Sequence, residues 1–153
     1  MTPAIHCLDA AGVPYRVLRY QPGSAASLGI AAASALGLDP ALVFKTLVVE
    51  FDSQHNAVAV IPVTETLDLK ALARVAGEKQ ATLAPTRNAE RLTGYVTGGI
   101  SPLGQKRQLP TYVAAQALSY DHIYVSAGRR RLELEIAPAD LIRCTHACVA
   151  DLT

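Results

Sequence analysis

Apolar and polar positions along this chain fall into short blocks whose period switches repeatedly between helix and strand. Ile5, Leu8 and Ala11 recur at helical spacing behind Thr2-Pro3, a capping residue followed by a proline at the first helical position, and Gly12 is placed to end that helix. Pro14 resets the chain, and Tyr15 to Tyr20 alternates as a short strand. Gln21-Pro22-Gly23 reads as a turn. Ser27 to Leu36, with Leu28, Ala31, Ala32, Ala35 and Leu36 on one face, predicts a second helix closed by Gly37. Asp39-Pro40 opens a short turn into Val43 to Phe51, the strongest strand pattern in the chain and rich in β-branched residues. The polar loop 52–56 joins it to Ala57 to Val63 as a hairpin, with Pro62 marking where pairing stops.

Further on, Asp68 caps a helix through Ala76 that turns Leu69, Leu72, Ala73 and Ala76 inward, and Gly77 stops it. Gln80 to Leu83 reads as a short strand, and Pro85 starts a short helix containing Asn88 to Leu92. Pro110 and Thr111 lead into Tyr112-Val113. His122 to Ser126 is a strand, 127–130 a turn, and Arg131 to Ile136 an alternating strand. Pro138 to Arg143 is helical and His146 to Val149 a last strand. There is no regular strand–helix–strand period and no internal repeat. The expected architecture is a single α/β domain over residues 1–153. Its sheet is mixed, largely antiparallel and curled toward a barrel, with helices around it, and it is not doubly wound.

Composition changes this picture in three places. With no Trp and two Phe among 153 residues, half of them apolar, the core must be built from Ala, Val, Leu and Ile. A formal charge of +1 gives no global attraction to nucleic acid or a membrane, so any such contact must be a local patch. Three cysteines, Cys7, Cys144 and Cys148, do not make a disulfide framework and fit a reducing compartment. Met1 to Ala4 lacks a basic segment followed by an apolar run, and no stretch approaches a membrane span. A cytoplasmic location is expected.

Candidate chemistry concentrates in Gly94-Tyr95-Val96-Thr97-Gly98-Gly99-Ile100-Ser101-Pro102-Leu103-Gly104-Gln105-Lys106. A glycine-dense loop lets backbone N–H groups approach a ligand, although the same composition also suits a tight connection between strands. Lys45 interrupts the apolar strand. It either snorkels to solvent or enters a partly covered cleft, where a cation would hold a phosphate or a developing oxyanion. Ser24, Ser27, Ser101 and Ser126 are available hydroxyls, but no Gly-x-Ser-x-Gly elbow accompanies them, and His6, His55, His122 and His146 are scattered. Cys144-Thr145-His146-Ala147-Cys148 offers three metal-ligand types without a fourth, so buried thiols are expected there and no metal. Arg129-Arg130-Arg131 and Lys106-Arg107 are short basic clusters on turns, either solvated or set to meet phosphates. Glu133 and Glu135 share the polar face of the last long strand, solvated unless a cation faces them across the sheet.

Phe44-Lys45-Thr46-Leu47, the Gly94 to Lys106 run, and Tyr124 to Gly128 with Leu132-Glu133-Leu134-Glu135 together resemble the YbaK family of Cys-tRNA(Pro) deacylases, in order and over nearly the whole chain. Met1 to Ala4 and Leu67-Asp68-Leu69-Lys70 resemble it too. The resemblance implies the fold of the editing domain associated with prolyl-tRNA synthetase, a mischarged aminoacyl-tRNA as substrate, prolyl-tRNA synthetase as a partner, and no cofactor or metal. It also implies a mechanism without a protein nucleophile, in which the substrate's cysteine thiol attacks its own ester and leaves as a thiolactone. Lys45 would then hold the terminal phosphate-ribose or polarise the site. Gly98, Gly99 and Ile100 would present backbone groups to the ester. Tyr20, Thr46, Ser101, Ser126 and Glu133 would line the substrate pocket. Two positions depart from the family pattern: Arg131 stands where glycine is usual, and Glu133 where aspartate is usual. They keep open an Ala-tRNA(Pro) enzyme using water. The basic turns keep open a non-catalytic module that binds tRNA or the synthetase.

Overall fold

The computed structural model describes residues 1–21 and 28–153, so the turn expected at Pro22-Gly23 and the hydroxyls of Ser24 and Ser27 lie outside the described residues. Helix α1 (Pro3–Ala11) begins where Thr2 accepts from the Ile5 N–H and ends at Gly12 in the left-handed conformation. It buries Ala4, Ile5 and Leu8, so the expected apolar face forms with Ala4 completing it, while Ala11 is exposed. Strand β1 (Arg16–Arg19) and helix α2 (Leu28–Leu36) follow. Helix α2 buries Ala31, Ala32 and Ala33, with Ala35 exposed.

Asp39 caps a single 3-10 turn, Pro40–Leu42, that delivers the chain into β2 (Phe44–Phe51) and β3 (Asn56–Pro62). These pair antiparallel from Phe44↔Pro62 to Glu50↔Asn56, the expected hairpin ending at the expected proline. Helix α3 (Leu69–Ala76) is capped by Asp68, whose carboxylate accepts from the Ala71 N–H at 3.0 Å, and is closed by Gly77. Strand β4 (Ala81–Leu83), helix α4 (Thr86–Thr93), β5 (Thr111–Ala114), a 3-10 segment (Ala115–Ser119), β6 (Ile123–Arg129), β7 (Leu132–Ile136), α5 (Pro138–Thr145) and β8 (Cys148–Ala150) complete the order.

The strands form two sheets. One is β1-β7-β6, wholly antiparallel; the other is β4-β2-β3-β5-β8, in which β3–β5 and β5–β8 are parallel. A single parallel bridge, Val43↔Tyr124, joins the two, so the curled sheet expected from the sequence is realised as two ladders meeting at the start of β2. Strand β3 is the centre of the larger sheet, and Ala57 to Ile61 are all fully buried. With both faces covered, the strand becomes a continuous apolar run rather than an alternating one. Each fully buried Val or Ile of this kind contributes roughly 1.5–3 kcal/mol.

Two elements differ from the sequence expectation, the first in a way that bears on the site. Strand β6 runs on to Arg129 through a bulge between Ser126 and Arg129, so the reversal falls at Arg130-Arg131 and not across 127–130. Helix α5 continues to Thr145, and His146 in the left-handed conformation is its cap, not the start of a strand.

Candidate active site

The site forms where β4 stops. Strand β4 pairs only with Val49 to Phe51, so it covers the end of β2 and leaves the beginning, Phe44 to Val48, facing a cavity of about 290 Å³. That is why residues of both parities on β2, Phe44, Lys45, Thr46 and Leu47, line one space. Lys45, half-buried, enters this cleft; it forms no ion pair among the described residues.

Strand β7 supplies the opposite character. Glu135 sits directly across from Arg16 and Tyr124, accepting from the guanidinium at 2.9 Å and from the phenol at 2.6 Å. Arg16 and Tyr124 hold the Glu135 carboxyl below its ordinary range. Glu133, two residues earlier on the same face, faces Leu18 and Ser126 instead. It is 8% exposed, and its Oε2 has no hydrogen-bond partner. Burial without a cation pushes its carboxyl up to about 8. The solvated face expected of both glutamates in the absence of a facing cation fails at Glu133, which is buried without one. Glu135, the more exposed of the two, meets such a cation, Arg16. A second buried orphan lies in the same cavity wall, the Thr46 Oγ1. Two unpartnered polar atoms in one cavity are costly unless a ligand satisfies them.

Tyr20, also lining the cavity, is anchored by its N–H to the Arg131 carbonyl at 3.1 Å; burial first, and then the neighbouring Glu133, raise its phenol above the ordinary value. Ser126 lines the cavity at the β6 bulge, its Oγ accepting from the Gly128 N–H at 3.2 Å.

The glycine-rich stretch is a hydrogen-bonded loop running from α4 to β5 rather than a connection between two strands. Tyr95 is buried in it and donates to the Leu103 carbonyl at 2.6 Å, and burial raises its phenol far above the usual value. The Gln105 amide donates to the Ser101 carbonyl at 3.1 Å. From this loop Thr97, Gly98 and Ile100 reach the cavity. Gly98 has φ +88°, open to glycine at little cost. Gly99 and Ser101 stand behind the wall and do not line it. A Cβ on Gly99 would come within 2.8 Å of the Arg130 nitrogen and 2.9 Å of the Arg129 carbonyl carbon. The Ser101 Oγ is fully buried and accepts from the Leu103 N–H.

So Tyr20, Lys45, Thr46, Gly98, Ile100, Ser126 and Glu133 converge, while Gly99 and Ser101 build the loop that carries two of them. Sequence reasoning missed Thr97, which lay unassigned inside the loop, and the apolar floor of Val43, Leu47 and Val63. Arg131, where the family pattern has glycine, adopts φ +65°, so the turn keeps the glycine conformation with an arginine in it. The four histidines lie outside the cavity. A second cleft, at the far end of the β2–β3 hairpin, holds His55 3.7 Å from Glu78 and none of the expected site residues. Cys7 and Cys144 are half-buried and Cys148 is exposed, not the buried thiols expected of that segment.

Fold and cavity together define a mixed α/β protein with a cavity set between a lysine-bearing strand, a buried carboxyl and a glycine-rich loop. The chain belongs to the aminoacyl-tRNA editing domain family, whose model matches residues 23–144, as the Phe44 to Leu47 and Gly94 to Lys106 motifs implied. It is 36% identical over 152 residues to the "Putative Cys-tRNA(Pro)/Cys-tRNA(Cys) deacylase EbsC" of Enterococcus faecalis, covering 99% of this chain and 93% of that one. Among solved structures it is similar to a "putative trans-editing enzyme for prolyl tRNA synthetase", with a TM-score of 0.87 and 26% identity over 99% of this chain and 94% of that one. The hypothetical protein APE2540 superposes with a TM-score of 0.88 and 29% identity, over 98% of each chain.

Proposed function

We propose that residues 1–153 act as one cytoplasmic trans-editing unit that deacylates mischarged Cys-tRNA(Pro), with the substrate's own thiol as nucleophile. The observation that carries this reading is the cavity's inventory. It has a cation, an orphan hydroxyl, an orphan carboxyl and a backbone wall, while His6, His55, His122 and His146 all lie elsewhere. Among the described residues Ser126 therefore has no histidine base beside it, which favours the substrate's own thiol over a serine as nucleophile.

In the proposed reaction the cysteine sulfur attacks the ester carbonyl carbon. The C–S bond forms, the C–O bond to the terminal ribose breaks, and the thiol proton passes to the departing ribose oxygen. The protein's share is orientation and charge stabilisation, which suffice when attack is intramolecular. Lys45 would hold the terminal phosphate-ribose or polarise the ester, and the Gly98 N–H would face the developing oxyanion, with Gly99 supporting it from behind. Tyr20, Thr46, Ser126 and Ile100 would orient the aminoacyl group, and Ser101 would keep the loop in shape. Glu133 would receive the α-ammonium, giving up its proton as that cation arrives. Prolyl-tRNA synthetase would supply tRNA identity, because the pocket contacts only the acylated end.

The elevated Glu133 supports a second reading, hydrolysis of Ala-tRNA(Pro): with its carboxyl pushed up to about 8, the ionised fraction is a stronger base than an ordinary carboxylate and suited to activating a water. Incubation with Cys-tRNA(Pro) and Ala-tRNA(Pro) separates the two. The first reading expects faster loss of the cysteinyl ester than in buffer and little effect on the alanyl ester. It also expects a Lys45→Ala variant to fold and to lose roughly 10²-fold or more of the activity. Equal loss of the cysteinyl ester with and without protein contradicts it.

A further inference from the structure

The wall of the cavity is held from outside by two charged side chains that the reading above leaves unused. At Thr97, the N–H donates to the Glu90 Oε2 at 2.7 Å, and the carbonyl accepts from the Arg130 Nε at 2.8 Å. Glu90 comes from helix α4 and Arg130 from the β6–β7 turn, so the segment is gripped by two separate elements. The Thr97 carbonyl and the Gly98 N–H belong to one trans peptide, and in a trans peptide they point to opposite sides. Arg130 is exposed and takes the carbonyl on the outer side, while Thr97 and Gly98 both line the cavity. Its guanidinium thus fixes the plane of the peptide whose N–H is directed the other way. A cation on the carbonyl also polarises the amide and strengthens that N–H as a donor. Gly99 makes the reach short enough: without a Cβ, the loop lies directly against the Arg129–Arg130 backbone.

We propose that Arg130 is a positioning residue for the reaction, aiming and polarising the Thr97–Gly98 peptide so that its N–H stabilises the oxyanion formed on the ester. This rests on the deacylase reading. It assigns one arginine of the basic turn a role other than contact with RNA phosphates. The two roles have different kinetic signatures. Loss of a peptide orientation that matters only at the oxyanion lowers kcat and leaves KM. Loss of a phosphate contact raises KM and lessens its dependence on salt.

The test is steady-state deacylation of Cys-tRNA(Pro) by the full chain at two salt concentrations, with thermal unfolding of each variant alongside. Arg130→Ala is expected to lower kcat about tenfold or more, with KM within about twofold and the same salt dependence. Arg130→Lys, which keeps a charged donor, should recover part of the loss. Arg130→Met keeps the aliphatic stem, should behave as Arg130→Ala does, and stands in for it if that variant unfolds. Unchanged kcat in a folded variant, or a loss carried by KM that shrinks at higher salt, overturns the assignment of Arg130 alone. Wild-type protein that leaves the ester intact overturns the deacylase reading and this role with it.

Discussion

Glu133 and Glu135 show how two identical side chains, two residues apart on one strand face, come to different chemistry. Glu135 meets Arg16 and Tyr124 across the sheet and is held ionised, while Glu133 meets Leu18 and Ser126 and keeps its proton to about pH 8. The unfolded chain releases that proton near the ordinary 4.5, so between these values the folded state binds more protons than the unfolded one. The contribution of Glu133 to stability is therefore full below about 4.5 and declines as pH rises to about 8. Glu133→Gln keeps the shape and cannot ionise, so unfolding midpoints followed across this window should fall less steeply with pH than in the wild type. An equally steep fall would mean that Glu133 is ionised in the folded protein. None of this was legible in the sequence. The alternation Leu132 to Ile136 places both glutamates on one face, but only the register against β1 and β6 says which of them finds a cation.

At the scale of elements, the helix caps and the hairpin were readable because their causes are local. Thr2-Pro3, Asp68, Gly12 and Gly77 act within one turn of themselves, and the β2–β3 pairing follows from two apolar runs and a short polar loop. What was not readable comes from contacts between elements distant in sequence. The turn expected over 127–130 moved because β6 extends through a bulge toward Arg129, and that extension is what brings Arg130 to Thr97. The family resemblance implied Gly99 beside the ester; its missing Cβ serves the packing of the loop on the β6–β7 turn. Gly99→Ala should accordingly push the loop off that turn, costing about 1–3 kcal/mol of stability by overpacking. It should also lower deacylation further than that stability loss alone explains. Thermal unfolding and a single-turnover assay on the same preparation measure both, and a variant with wild-type stability and rate would show that the close approach is dispensable.

For the whole molecule, the determining event is the meeting of two sheets at the start of β2. Because β4 is short, the larger sheet leaves Phe44 to Val48 uncovered; because Val43 bridges to Tyr124, the smaller sheet brings Ser126 and Glu133 to that same edge. The glycine loop closes the third side. The result is a cavity lined by Lys45, Thr46, Ser126 and Glu133, with no histidine among the described residues that line it, and an ester carrying its own thiol suits such a pocket. The most direct test compares cysteinyl-tRNA(Pro) with its S-methylcysteinyl counterpart and identifies the released product. Attack by the substrate's thiol predicts rapid loss of the cysteinyl ester with thiolactone as the first product, and an S-methylated ester no less stable than in buffer. Rapid cleavage of the S-methylated ester, with the free amino acid released, would contradict it.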